Sequence, residues 1–331
     1  MKKLINDPQN VVDEMLNGLV KAFEDKLQRV EGFEIISRKN PKDKGKVGII
    51  SGGGSGHEPA HAGYVGYGML DCAVCGEVFT SPTPDQVFKA VQVADRGAGV
   101  FMVIKNYTGD VMNFEMAKDM AEAEGIEVDY IVVDDDVAVE DSTYTTGRRG
   151  IAGTIFVHKI LGGMAEDGKS LEEIKKQAEY LIENIKSMGM AIKACTVPAA
   201  GKESFTLQED EMEIGIGIHG EPGIRKEKIK SANEISKELL EKILSEINDK
   251  SGEFALMVNG MGATPEMELM VINNYVADLL KEKNIKIFKT YLGNYMTSID
   301  MAGFSLTLIK LDETSKKYLQ FKADTVKIKE F

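Results

Sequence analysis

The chain has 331 residues, with 40 Lys and Arg against 53 Asp and Glu and a formal net charge of −13, a balance that repels nucleic acid and anionic membrane surfaces. Hydrophobic residues make up 43%, enough apolar surface to offset chain entropy and exclude disorder as the main state. With no Trp and only 7% aromatic residues, platforms for stacking nucleobases are few.

Met-Lys-Lys-Leu-Ile-Asn-Asp-Pro at the amino terminus carries two lysines without a following apolar stretch, so no secretory signal is expected. No run approaches the roughly 18 apolar residues of a membrane span. Cys72, Cys75 and Cys195 cannot all pair within one chain, which fits a reducing, cytoplasmic setting. At roughly 150 residues per domain the length predicts two domains.

Asp7 and Pro8 predict a capped first helix, with Val11, Met15, Leu16, Leu19, Val20 and Phe23 at helical spacing. A charged loop, Arg38 to Lys46, leads into a short strand, Val47 to Ile50, then a glycine-rich turn and a helix. An apolar stretch from Cys72 to Phe79 precedes Ser81-Pro82-Thr83-Pro84 and a helix from Asp85 to Ala94. Gly99 to Ile104 reads as a strand buried on both faces. Helix Asp110 to Ala123 and strand Val128 to Val133 continue the alternation, which predicts a mostly parallel sheet with helices on both faces. Helices from Ala152 to Met164 and Leu171 to Met188 follow. A second domain, with a mixed sheet, is expected over 191–331 after a first over 1–190. Its strands are Glu211 to Ile218, Phe254 to Val258, Ile285 to Phe288 and Phe304 to Leu311, and its helices Asn233 to Ile247 and Pro265 to Lys281, the latter capped by Thr264.

Gly52-Gly-Gly-Ser-Gly-His57 lies between a strand and an expected helix, where bare N–H groups can cradle an oxygen-rich ligand. No Gly-Lys-Ser/Thr follows, so it is not a nucleotide phosphate loop. His57-Glu-Pro-Ala-His61 matches the H-E-x-x-H of zinc proteases, but Pro59 belongs in a first helical turn and takes His57 off the shared face; no metal site is expected. Gly215-Ile-Gly-Ile-His-Gly220 fits a dinucleotide pattern only by spelling, since alternation continues through it; His219 is expected to end a strand. Cys72 and Cys75 have thioredoxin spacing in a strand-like context and are expected to be buried and structural. Asp134-Asp-Asp136 is expected to form a solvated turn, with Mg²⁺ binding the alternative. Arg148 and Arg149 suit either an anion or those aspartates. Lys105 and Asp110 bracket the carboxyl end of a strand, where ligands collect in open α/β sheets. Together with His57 and the glycines they predict a site for a small polyhydroxylated molecule.

Ser51-Gly-Gly-Gly-Ser-Gly-His-Glu-Pro59, Phe79-Thr-Ser-Pro-Thr-Pro84, Ile104-Lys-Asn-Tyr-Thr-Gly-Asp110, Thr146-Gly-Arg-Arg-Gly150 and Gly217-Ile-His-Gly-Glu-Pro-Gly223 together resemble dihydroxyacetone kinase. Cys195-Thr-Val-Pro-Ala-Ala-Gly201, Asn259-Gly-Met-Gly-Ala-Thr-Pro265 and Thr297-Ser-Ile-Asp-Met-Ala-Gly-Phe304 extend the likeness over nearly the whole chain. In length it is similar to the free-standing substrate-binding K subunit of the phosphotransferase-system-dependent enzymes; single-chain ATP-dependent relatives carry a further nucleotide-binding domain. The resemblance implies that His219 bonds covalently to the carbonyl carbon of dihydroxyacetone as a hemiaminal. It implies acid/base roles for His57 and Asp110, and substrate contacts from Gly54, Ser55, Gly56, His57, Lys105 and Asp110. It also implies no cofactor on this chain, a nucleotide (ADP/ATP) with Mg²⁺ on a partner L subunit, a phosphocarrier M subunit fed by phosphoenolpyruvate, and a homodimer. The alternative it leaves is a non-catalytic paralogue that binds the same ketone and acts as a transcriptional coactivator.

Overall fold

The computed structural model describes residues 2–42, 44–140 and 145–331; residue 1 of the amino-terminal stretch and residue 43 of the charged loop lie outside it. Helix α1 (Val11–Ala22) leads into β1 (Leu27–Arg29), β2 (Ile35–Arg38), β3 (Gly48–Ser55), β4 (Cys72–Val78), α2 (Pro84–Ala94), β5 (Val100–Lys105), α3 (Thr108–Ala123) and β6 (Val128–Val133). These six strands form one sheet in the order β1-β2-β4-β3-β5-β6. The strands β4, β3, β5 and β6 run parallel, and β2 and β1 add antiparallel pairs beyond β4. Along β5, Phe101 and Val103 face one core while Val100, Met102 and Ile104 face another, so the uninterrupted apolar run fills both sides of the sheet.

The chain continues through α4 (Thr154–Glu166), α5 (Leu171–Asn184), β7 (Ile185–Lys193), β8 (Glu211–Ile214), β9 (Arg225–Lys228), α6 (Ala232–Ser245), β10 (Glu253–Gly260), α7 (Glu266–Glu282), β11 (Lys286–Gly293), β12 (Ala302–Leu311), α8 (Glu313–Leu319) and the hairpin β13 (Ala323–Asp324) and β14 (Lys329–Glu330). Strands β7 to β12 make a mixed sheet in the order β11-β10-β12-β7-β8-β9, parallel only between β10 and β11. Five layers result: α2 and α3, the first sheet, α4 and α5, the second sheet, then α6 and α7. Alternation along the strands supports this order. Ala255 and Met257 of β10 share a core with α4 and α5, whereas Phe254, Leu256 and Val258 pack against α6 and α7.

The two sheets are joined by polar ties as well as by this shared core. Ser187 of β7 donates its N–H to Asp135 O at 2.7 Å, and Val137 N donates back to Ser187 O at 2.9 Å. The Asp135 carboxylate accepts from the N–H groups of Ile151 (2.7 Å) and Gly153 (2.8 Å) just before α4. Arg149, 1% exposed, pairs with Asp136 at 2.6 Å and Glu221 at 3.4 Å and donates to Gly215 O at 2.8 Å. Behind it, β3 and β5 are neighbours whose exits diverge. The connection after β3 stays on the α4 side, where Tyr64, Val65, Met69 and Leu70 pack, while β5 turns into α3 on the opposite face. The carboxyl ends of these two strands therefore open a crevice.

The α/β class expected from the sequence is the one observed, a mostly parallel sheet with helices on both faces followed by a mixed one. Several local expectations need correction. The glycine-rich segment is the second half of β3, not a turn, and only the 3₁₀ turn Ala62–Tyr64 follows it where a helix was expected. The first helix starts at Val11, because Asp7 closes a separate turn with the N–H groups of Gln9 and Asn10. Ile185 to Met188 belong to β7, so the expected division after residue 190 runs through a strand. Strand β8 stops at Ile214, five residues before His219. Thr264 exchanges hydrogen bonds with Gly303 and caps nothing. Asp135 and Asp136 are fully buried, not a solvated turn, because the backbone donors and Arg149 above supply what water would. Cys72 and Cys75 are free and buried, as expected, and Cys195 is free and buried as well.

Replacing Arg149 by Met removes the counter-charge from two buried carboxylates. Such a loss costs about 3–5 kcal/mol, to be read as a lowered unfolding free energy in urea denaturation.

Candidate active site

His57 follows β3 directly and is fully buried. Its main-chain carbonyl accepts from Thr297 N at 3.1 Å, and Ile299 N donates to Gly56 O at 2.7 Å, so the segment 297–299 from the second sheet grips it. On the ring, Nδ1 lies 2.9 Å from Thr297 O. A carbonyl only accepts, so Nδ1 carries the proton and Nε2 presents a bare lone pair. Burial, followed by the charge of Lys105, lowers the His57 pKa to about 3. Asn259, at the end of β10, holds the gripping segment. Its side-chain oxygen accepts from Tyr295 N (2.9 Å) and Met296 N (3.0 Å), and its amide donates to Met296 O (2.8 Å) and Ser305 Oγ (3.1 Å).

His219 reaches the same point from the other half of the chain. Its loop is anchored by Glu221, whose carboxylate accepts the His219 N–H at 2.8 Å and pairs with Arg149. Gly217 is required for this turn, since a Cβ there would come within 1.7 Å of Glu221 Oε1. His219 Nε2 lies 3.1 Å from His57 Nε2, with the two rings edge to face. Because His57 Nε2 has no hydrogen, His219 Nε2 is the donor and its own Nδ1, buried without a partner, carries the other lone pair. Burial first, then His57, Lys105 and Arg149, hold His219 well below the usual histidine range. Both rings are neutral at physiological pH, and a neutral imidazole is a nucleophile.

The opposite pole of the crevice is ionic. Lys105, buried at the end of β5, donates to Gly52 O at 3.2 Å and to Asp110 Oδ2 at 3.3 Å. Asp110 sits in the first turn of α3, and its other oxygen accepts from Ser81 Oγ. Gly53 has to be glycine here, at φ 145°, because a Cβ would meet Lys105 Nζ at 2.4 Å. Between the poles lies a cavity of about 310 Å³ lined by Gly54, Phe79, Ser81, Tyr107, Gly109, Asp110 and His219. It has a neutral imidazole at one end and a carboxylate at the other.

Of the residues singled out in the sequence, Gly54, Asp110 and His219 line this cavity, and His57 and Lys105 stand directly behind His219 and Asp110. Ser55 and Gly56 do not line it. Ser55 Oγ donates to Gly76 O at 2.7 Å, and Gly56 faces the Phe79 ring. His61 turns away toward Ser51 and His158, which ends any shared ligand face with His57. Sequence reasoning passed over the roles of Phe79, Ser81, Tyr107, Thr297 and Asn259. All five stand inside motifs quoted for the family likeness, which marked them without assigning them a task.

Comparison with known proteins identifies relatives of the chain and of its fold. The model of the Dak1 domain matches residues 17–327. The dihydroxyacetone-binding subunit DhaK of PTS-dependent dihydroxyacetone kinase 1 from Listeria innocua is 56% identical over 328 residues, covering 98% of this chain and 99% of that protein. Among solved structures, the dihydroxyacetone kinase operon co-activator Dha-DhaQ superposes with a TM-score of 0.91 at 41% identity, over 96% of this chain and 98% of its own. The native dihydroxyacetone kinase of C. freundii superposes with a TM-score of 0.91 at 35% identity, over 99% of this chain and 60% of that longer one. Among the described residues, no helix is long and apolar enough to cross a membrane.

His57, His61 and His158 are buried and His219 is half-buried at the cavity, and all four have lowered pKa values, His57 and His158 to about 3 and His61 and His219 well below the ordinary value. A lowered pKa keeps the ring neutral as the pH falls. No histidine should therefore titrate between about pH 5 and 8, in contrast to a free ring near 6.5. Side-chain NMR across that range checks it.

Proposed function

The chain belongs to the Dak1 family, and from that membership we propose that it is the dihydroxyacetone-binding subunit of a phosphoenolpyruvate-dependent dihydroxyacetone kinase. The observation that carries this reading is the half-buried, neutral His219 at one end of the cavity, hydrogen-bonded to His57 and facing the Lys105–Asp110–Ser81 group at the other. The ketone is captured by net addition of the imidazole N–H across its carbonyl. A ring nitrogen of His219 bonds to the carbonyl carbon, the π electron pair moves to oxygen, and the proton lost by the ring ends on that oxygen. His57 carries the proton, since its bare Nε2 already accepts from His219. Its 3.1 Å contact with His219 supports work at this step more directly than at the hydroxyl to be phosphorylated, the task implied by the family likeness. Glycerol offers similar hydroxyls but no electrophilic carbon, so covalent capture rejects it.

The tethered molecule directs one hydroxyl toward Asp110, which accepts its proton as the oxygen attacks phosphorus. Lys105 keeps the Asp110 carboxylate oriented and balances its charge. Positioning of this kind provides much of the acceleration in phosphoryl transfer. The phosphoryl group would come from ATP held with Mg²⁺ on an L subunit; as the new O–P bond forms, the bond to the β-phosphate oxygen would break and leave ADP on that subunit, to be recharged through an M subunit. The glycine segment supports a donor held elsewhere, because its residues are spent on β-ladder pairing with β4 and on close packing and form no phosphate loop. The product is dihydroxyacetone phosphate.

The superposition with the co-activator favours one other reading, a ketone-binding regulator using the same histidine. Turnover separates the two. With carbon-13 at the ketone position, the wild-type protein should move that resonance from the carbonyl to the saturated region, and His219→Ala should abolish the change without unfolding. Asp110→Asn should keep the adduct while turnover with added L and M subunits falls by roughly 10²–10⁴-fold, the usual worth of an acid/base group. Adduct without any product from the wild-type protein would replace the kinase reading by the regulatory one.

A further inference from the structure

We propose that Phe79 sets the length of ketose that this site accepts, an inference that rests on the reading of the cavity as a ketose site. Phe79 follows β4 in the left-handed region, at φ 56°, where bulky residues are rare and strained. Glycine would sit there without cost. The ring that glycine would forgo lines the cavity. It stacks on His57 with centroids 5.3 Å apart and planes at 24°, and meets His219 edge to face at 5.4 Å.

The surrounding sequence makes room for this ring and its turn. A Cβ on Gly56 would come within 2.7 Å of the Phe79 ring, and one on Gly54 within 2.8 Å of its main chain. The turn is fixed by Phe79 N donating to Ser55 O at 2.9 Å and by Gly76, where a Cβ would meet Thr80 O at 2.1 Å. Two of the glycines read as a ligand cradle thus serve to bring an aromatic wall against both histidines. A ketone carbon held at His219 has one arm committed to the Asp110 end. Its other arm must fit against the apolar side walls, of which Tyr107 packs on His219 at 4.1 Å and Phe79 spans both rings. Tyr107 is itself buried, whereas Phe79 is half-buried on a turn flanked by exposed Glu77 and Thr80, so Phe79 is the wall whose removal lengthens the site.

The test compares dihydroxyacetone with erythrulose, one hydroxymethylene longer, by adduct formation in carbon-13 NMR and native mass measurement. Phe79→Gly removes the ring at a backbone conformation glycine accepts, and Phe79→Leu keeps an apolar but narrower wall. The ratio of erythrulose to dihydroxyacetone affinity should rise about tenfold or more in Phe79→Gly, a size typical for one small group in a pocket, with Phe79→Leu intermediate. An unchanged ratio in folded variants, with both affinities falling together, would assign Phe79 a packing role only and overturn the inference. Should Phe79→Gly fail to fold, the Phe79→Leu ratio decides alone. A wild-type protein that forms no adduct with either ketose overturns the reading of the site itself.

Discussion

A single contact between two neutral imidazoles, His57 and His219, is what the rest of this structure exists to hold. Neither ring reaches the other through local structure. One follows a strand of the first sheet and the other lies in a loop of the second, 162 positions later. Their meeting depends on two independent supports. Asn259 and the segment around Thr297 fix His57 and its tautomer, while Arg149 and Glu221 fix the loop of His219. Loss of water matters as much as distance. A solvated histidine near pH 7 is partly charged and a weaker nucleophile, whereas burial keeps both of these rings neutral.

The crevice itself follows from topology. Neighbouring parallel strands that leave a sheet toward opposite faces cannot close the gap beyond their carboxyl ends, and polar groups collect there. In this chain the gap receives Lys105 from β5, Asp110 from α3 and His57 from beyond β3. The second sheet then closes it from above with His219. Alternation along β5, β7 and β10, each buried on both faces, is what lets α4 and α5 lie between two sheets with one shared core.

Much of this was legible in the sequence. The run from Val100 to Ile104 can only be a doubly covered strand, so Lys105 and Asp110 had to fall at its carboxyl end. His57 and His61 do part as expected, although not at the start of a helix through Pro59, since only a short 3₁₀ turn forms there. What stayed hidden depended on partners distant in the chain. Three consecutive aspartates resemble solvated turn chemistry unless Arg149 and the N–H groups before α4 are known to meet two of them. Glycines read as a loop because their absence of side chains is visible, while the Lys105 ammonium and the Phe79 turn that demand that absence are not. His219 was expected to end a strand because alternation continues past Ile214, whereas Gly215 takes a left-handed φ of 74° and turns the chain away.

Finally, the last elements do not stay with the sheet they follow. Helix α8 packs on α4, where Lys159 donates to Tyr318 O and Phe321 O, and the β13–β14 hairpin meets Tyr67 through Asp324 and Gly63 through Lys327 N. The carboxy-terminal segment is thus a strap buckled onto the amino-terminal half. Neither half, expressed as a separate fragment, would retain all of its own packing. A substitution under that buckle, remote from both imidazoles, would loosen the register between the lobes on which their meeting depends.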